Sequence, residues 1–286
     1  MNRKVELLAV IDYKDCCTLD VSRVNAQMYI TSDRGIHVFS QKSEHIQTIE
    51  QGLEDNCTCS GISIYDNFLF VGCISKSGIG SVKIFTLDGF FITAFQEIRI
   101  QDKIYTFKDI MGVLVDEAST ELALFLCARW NKLVYCYTPC KNYIIDLCSE
   151  PQDIKSGSFE IFILLRDPNS IVMLDKFDIS TSLTTIYPGL GSDIRPRNHF
   201  NPLIKKIQFI GIHPAREELN IVNYREGILM VYNWEGRLIE NVYSEYLFGE
   251  KGRFQQGLAI DYYGYVFVLI DASVIRIDMR REQYIS

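Results

Sequence analysis

Three carboxylates, Asp109, Asp116 and Asp261, stand at or near the ends of short apolar runs. Carboxylates, if brought together, could supply oxygen ligands to a calcium ion or act as an acid–base pair. The corresponding places elsewhere in the chain hold Tyr65, His213 and Ser158, which do not complete such a set. The four histidines, His37, His45, His199 and His213, lie on separate segments and do not converge easily on one metal. Cys57-Thr58-Cys59 and Cys136-x-x-x-Cys140 lack a second pair at zinc-finger spacing, and the adjacent Cys16-Cys17 has no base nearby to activate a thiol. No Gly-x-Ser-x-Gly, phosphate-binding loop or dinucleotide fingerprint occurs in a strand-to-helix context. The expectation is a non-catalytic chain with no metal and no cofactor.

A different chemistry is carried by bases interleaved with rings: Arg129-Trp130-Asn131-Lys132, Tyr224-Arg225, and Arg195-Pro196-Arg197-Asn198-His199-Phe200. Lys and Arg meet phosphates while aromatic faces stack on unpaired bases, so these segments suit single-stranded RNA. The same composition also describes loops that keep a surface solvated while their rings cover a core.

What positions these residues is a repeat. One all-strand module recurs about every 40 to 50 residues, the range of repeat architectures. Its clearest copy is Gly257-Leu-Ala-Ile-Asp261, a turn at Tyr262-Tyr263-Gly264, the run Tyr265 to Ile270, a loop Asp271-Ala272-Ser273, and Val274 to Asp278. A second begins at Gly211-Ile212, continues as Leu219 to Val222 and Ile228 to Tyr232, and adds the turn Asn233-Trp234-Glu235-Gly236 with a fourth run, Arg237 to Val242. Val82 to Phe95 ends in the same way, with the hairpin signal Asp88-Gly89. Looser copies start near Met28, Gly112 and Glu160, giving six. The last copy has a weak or absent fourth strand, while residues 4–11 form a strand with no copy of its own. The expectation is therefore one all-β domain over 1–286, a six-bladed β-propeller of four-stranded antiparallel blades, whose ring residues 4–11 close by completing the last blade.

Glycine, hydrophobic, any residue, hydrophobic, Asp, then a strand, a short polar loop, a hydrophobic-x-aromatic strand and Asp-Gly resembles the NHL repeat. Gly257 to Asp278 and Val82 to Phe95 carry the resemblance best. The loops Ser32-Asp33-Arg34, Arg129-Trp130-Asn131 and Asn223-Tyr224-Arg225 depart from the Asp and Asn pattern of that family. The resemblance implies a propeller like the C-terminal domain of tripartite-motif NHL proteins, which bind RNA or protein, with zinc-binding and coiled-coil segments upstream in the longer polypeptide.

In such blades the loops joining second to third strands share one face with the blade-to-blade connections. Arg34, Lys76, Arg129 with Lys132, Arg166 and Arg225 fall in the first kind of loop, and only Asp271 breaks the series. Arg195 and Arg197 fall in the longest connection, Tyr187 to Lys206, whose length and prolines are those of a functional loop or a plain crossing. The candidate binding set is thus Arg34, Lys76, Arg129, Trp130, Lys132, Arg166, Arg195, Arg197, Tyr224 and Arg225. Acidic residues on this face balance the basic ones, so the net charge of −7 resides elsewhere. The expected partner is single-stranded RNA, with a protein partner as the alternative, and no specificity for DNA. No apolar run is long enough for a membrane span, and nine cysteines, an odd number without regular spacing, fit a reducing cytoplasm.

Overall fold

The structure, a computed structural model, describes residues 5–10, 18–32, 34–53, 57–118, 121–166, 169–178, 182–186, 207–213, 216–223, 227–245, 254–261, 263–270 and 273–279. The chain opens with β1 (Val5–Val10). Blade 1 is β2 (Thr18–Val21), β3 (Met28–Ser32), β4 (Gly35–Phe39) and β5 (His45–Ile49), and blade 2 is β6 (Cys57–Tyr65), β7 (Phe68–Ser75), β8 (Gly80–Thr86) and β9 (Phe91–Phe95). A two-stranded hairpin, β10 (Glu97–Ile100) and β11 (Lys103–Thr106), leads into blade 3: β12 (Ile110–Ala118), β13 (Glu121–Ala128), β14 (Leu133–Tyr137) and β15 (Tyr143–Asp146). Blade 4 is β16 (Pro151–Ser156), β17 (Glu160–Arg166), β18 (Asn169–Asp175) and β19 (Ser182–Ile186). Blade 5 is β20 (Ile207–His213), β21 (Glu218–Asn223), β22 (Ile228–Asn233) and β23 (Leu238–Tyr243). Blade 6 is β24 (Phe254–Ile260), β25 (Tyr265–Ile270) and β26 (Ser273–Asp278), with β1 as its outer strand, Val5 opposite Ile277 and Val10 opposite Ser273.

The first strand of each blade packs against the first strands of the two neighbouring blades, and β24 packs against β2, so the six sheets form a closed propeller. The core follows from this arrangement. A blade is covered on both faces, so its middle strands are buried along their length rather than at alternate residues: all of Gly35–Phe39 and Glu218–Asn223 is buried. The outer strand Phe91–Phe95, at an edge, is mostly exposed. Among the described residues the buried side chains fall into six clusters, one at each junction between blades. Tyr29, Val38, Val71 and Phe85 join blades 1 and 2, for example, and Ile154, Ile163, Phe125 and Cys136 join blades 3 and 4. At roughly 1.5–3 kcal/mol for each large apolar side chain taken from water, these junctions hold the ring together.

Two glycines are needed for this geometry. Gly89, at φ +91°, turns the chain from β8 into β9 with its N–H donated to Thr86 O at 3.0 Å. At Gly112 a Cβ would lie 3.1 Å from the Cα of Asp153, so its absence lets the inner strands of blades 3 and 4 approach.

One element differs from the sequence expectation. Glu97 to Thr106, expected as plain connection, is the β10–β11 hairpin, in which Ile98 is buried while Ile104 is exposed. Blade 4 has the expected fourth strand, Ser182–Ile186, although its Ser and Thr residues give little apolar signal. The connection Tyr187 to Lys206 lies outside the described residues. No helix among the described residues is long and apolar enough to cross a membrane.

Candidate functional site

The innermost strands are bonded to their own second strands on one side only, so on the other side their amides face the axis or the next blade. A buried amide without an acceptor is costly. Side chains on the inner strands supply the acceptors. Asp20 Oδ1 accepts the N–H of Val21 at 2.9 Å, and Oδ2 accepts that of Ile64 in blade 2 at 3.1 Å. Ser63 Oγ accepts the N–H of Val115 in blade 3 at 3.0 Å. Asp153 accepts the N–H of Ile154 at 2.9 Å and that of Ile210 in blade 5 at 3.1 Å.

Asp20 and Asp153 belong to opposite blades. Burial raises both carboxyls above their ordinary value, the positive charge of Lys155 opposes that rise at both, and the charge of Asp20 adds to the rise at Asp153. The axis therefore holds two carboxylates and one ammonium that interact across the ring.

Beside them is a cavity of about 460 Å³, with Asp20, Ser63, Val115, Lys155, Ile212 and Ala259 in its wall, one from each blade. Its wall continues through the last residues of the inner strands into the turns that follow them, including Arg23, Asp66 and Ser158. It thus opens on the face that carries the turns between first and second and between third and fourth strands. At its wall Lys176 Nζ is 2.6 Å from Asp116 Oδ2, to which Ser156 Oγ also donates. Tyr65 donates its hydroxyl to Glu117 at 3.1 Å.

Two phenylalanines stand at this mouth. Phe159 follows the cavity-lining Ser158, and Phe177 follows the cavity-lining Lys176, in two different turns of blade 4. Their ring centroids are 6.1 Å apart, yet they remain 62% and 59% exposed. Val24 and Tyr263, in the first turns of blades 1 and 6, are exposed on the same face. Large rings are usually tucked against a core, so a cluster held open at a cavity mouth is informative.

The described residues among those expected to bind lie at the other end of the ring. Arg34, Lys76, Trp130 and Lys132 are exposed in the turns between second and third strands, with Trp130 72% accessible. Arg129, in the same turn, is held by Asp109 at 2.6 Å, and Arg166, at the end of its strand, lies 3.3 Å from Glu150. Arg195, Arg197, Tyr224 and Arg225 lie outside the described residues. The three carboxylates singled out for chemistry are dispersed. Asp109 pairs with Arg129, Asp116 with Lys176, and Asp261 accepts the N–H of Tyr265 at 2.9 Å in the turn after β24. Among the described residues no group of three His, Cys, Asp or Glu is placed to hold a metal ion. His37 is buried between Ser32 Oγ at 2.8 Å and Thr48 Oγ1 at 3.1 Å, a structural role.

Sequence reasoning passed over Asp20, Asp153, Lys155 and the Phe159–Phe177 pair. A signal for Asp20 was present, an acid between two apolar residues in Leu19-Asp20-Val21, whereas the polar strand Pro151–Ser156 gave none for Asp153.

No protein-family profile matches the chain, and no curated protein sequence matches it. Solved structures do. A streptogramin B lyase shares 12% identity at a TM-score of 0.65, over 97% of this chain and 98% of that one. A gluconolactonase from Xanthomonas campestris shares 8% at a TM-score of 0.69, over 96% and 89%. A chain of the mitotic checkpoint complex shares 11% at a TM-score of 0.60, over 96% and 93%. At these identities the likeness is one of fold: the chain is a six-bladed β-propeller, compatible with a binding scaffold.

Proposed function

We propose that this propeller is a non-catalytic platform for a protein partner, docked on the face where the central cavity opens. The observation that carries this reading is the exposed Phe159–Phe177 pair at the cavity mouth. Aromatic side chains set beside a concavity are the usual anchors of protein interfaces, because they bury much area at little entropic cost. The likeness to a chain of the mitotic checkpoint complex, an assembly of proteins, supports the same reading. The non-catalytic part rests on Asp20, Asp109, Asp116 and Asp153, each engaged by a lysine, an arginine or backbone amides. The test is selection of short displayed peptides on the whole chain, run beside the Phe159→Ser/Phe177→Ser variant. Binders that vanish with the two rings support the platform. Binders indifferent to them, or none, overturn it.

Single-stranded RNA on the opposite face is a second reading, favoured by one observation: Trp130, 72% exposed, stands between Arg129 and Lys132. Fluorescence polarisation with short RNA pools at about 50 and 200 mM salt tests it. Affinity that falls with salt and is lost in Trp130→Ala/Lys132→Glu would establish it, and no binding at the lower salt removes it.

A further inference from the structure

Cys57-Thr58-Cys59 lacks the second pair of a zinc motif, but strand pairing makes it part of a cluster of three thiols. Alternate residues of a strand share a face. In the β6–β7 ladder Cys57 lies opposite Ser75 and Cys59 opposite Cys73, so the three cysteines stand on one side of blade 2. Cys59 Sγ is 3.9 Å from Cys73 Sγ, and the Cys73 thiol also shares a hydrogen bond with Cys57. The bond with Cys57 pulls the Cys73 thiol down, but the bond with Cys59 and burial outweigh it and hold Cys73 well above its ordinary value, as a protonated thiol. The fourth member is Lys83 of β8, whose buried ammonium donates to Gly52 O at 2.6 Å and to Cys57 Sγ at 3.8 Å. Among the described residues no carboxylate forms an ion pair with Lys83. A buried ammonium held by a carbonyl and a sulfur favours the ionised form of that sulfur, because only a thiolate brings the opposite charge. Access separates the thiols further: Cys59 and Cys73 are buried, whereas Cys57 is partly exposed.

We infer that Cys57 is a peroxide-reactive thiol, ionised by Lys83, and that its oxidised form is captured by Cys73 as a reversible disulfide. The thiolate is the nucleophile of cysteine chemistry, and a neighbouring lysine is one of the settings that produce it. In the first step the Cys57 sulfur attacks one oxygen of hydrogen peroxide. An S–O bond forms, the O–O bond breaks, and the departing hydroxide takes up a proton to become water, leaving a sulfenic acid. In the second step the Cys73 sulfur attacks the Cys57 sulfur. An S–S bond forms, the S–O bond breaks, and hydroxide leaves with the Cys73 proton as a second water. Two thiols are oxidised and one peroxide is reduced to two waters. Cys73 is the thiol that resolves the sulfenic acid because it hydrogen-bonds Cys57 from the paired strand, while Cys59 lies two residues along the same strand.

The experiment treats the reduced whole chain with hydrogen peroxide at about pH 7, blocks the remaining thiols with a maleimide, and maps the peptides by mass spectrometry without reduction. A Cys57–Cys73 cross-link, two hydrogens lighter and reversed by dithiothreitol, is expected. Cys59→Ala should still form it and Cys57→Ser should not. Cys73→Ala should instead accumulate a sulfenic acid at Cys57, trapped by dimedone. A comparison within one molecule needs no variant: Cys57 should oxidise about ten-fold faster than Cys140, which is exposed but whose thiol is pushed up by its hydrogen bond to Glu121. Lys83→Met should slow the oxidation of Cys57 by about the same factor. Thermal midpoints check that each variant folds, and if Lys83→Met does not, the comparison with Cys140 decides. Cys140 oxidised as fast as Cys57, a cross-link that leaves out Cys57, or a sulfenic acid that persists at Cys57 in the unaltered chain overturns the assignment.

Discussion

Asp20 accepts the amide of Ile64 at 3.1 Å, although the two residues lie on the inner strands of different blades. Asp153 does the same for Ile210 half a turn of the ring away. A propeller has no backbone ladder between its inner strands, so side-chain acceptors at the axis take the place of one.

Replacing Asp20 with alanine should therefore loosen the junction between blades 1 and 2. The amides of Val21 and Ile64 lose their acceptor, which costs about 1–3 kcal/mol. Urea denaturation should show the midpoint falling with the slope unchanged. A midpoint equal to that of the wild type would refute the role.

The two axial carboxyls also give stability a pH dependence. Burial raises both above 3.8, the ordinary value. Just above that value the unfolded chain has released these protons while the folded chain still holds them. Their contribution is thus fully present below 3.8 and is lost as pH rises through the folded values. Asp20→Asn/Asp153→Asn should flatten the stability curve from about pH 4 upward. Parallel curves for variant and wild type would count against the assignment.

Arg129 serves the fold. Its guanidinium is 2.6 Å from Asp109, whose side chain is only 6% exposed, so Arg129→Ala leaves a buried carboxylate without its partner. The expected cost is about 1–3 kcal/mol, seen as a lower thermal midpoint. Lys132→Ala, in the same turn but exposed, should change it little. Equal effects of the two would contradict this division.

Thiol labelling should sort the cysteines by position. Cys140 and Cys148 are exposed. Cys127 and Cys136 are buried between blades 3 and 4, and burial pushes the Cys136 thiol up to about 12. A maleimide under native conditions should modify the exposed pair first, and the buried pair only when the ring opens. Mass spectrometry of the labelled peptides reads the order. Early labelling of Cys136 would mean that this junction opens readily.

The blades were legible because each has its own punctuation, as in Asp88-Gly89 or Asn233 to Gly236, between runs buried on both faces. The β10–β11 hairpin was missed because its exposed, charged residues read as a loop. The candidate site was hidden for a topological reason. Phe159 and Phe177 sit in separate turns, and only the reversal of two intervening strands brings their rings to 6.1 Å. Loop bases were easy to count in a row, but their partners Asp109 and Glu150 come from elsewhere in the chain. Asp20 and Asp153 look alike along the chain, and their mutual influence exists only because six blades bring the fourth opposite the first.

Blade 6 draws its outer strand, Val5–Val10, from one end of the chain and its other three from the opposite end. Within the ring, this outer strand is made before the other five blades and its three partners after them. Five sheets can form by hairpin steps between neighbours, but the sixth demands the longest loop closure in the molecule and so is slow. Until it is complete, blades 1 and 5 each expose an apolar flank, and nascent chains are most prone to stick to one another during that interval.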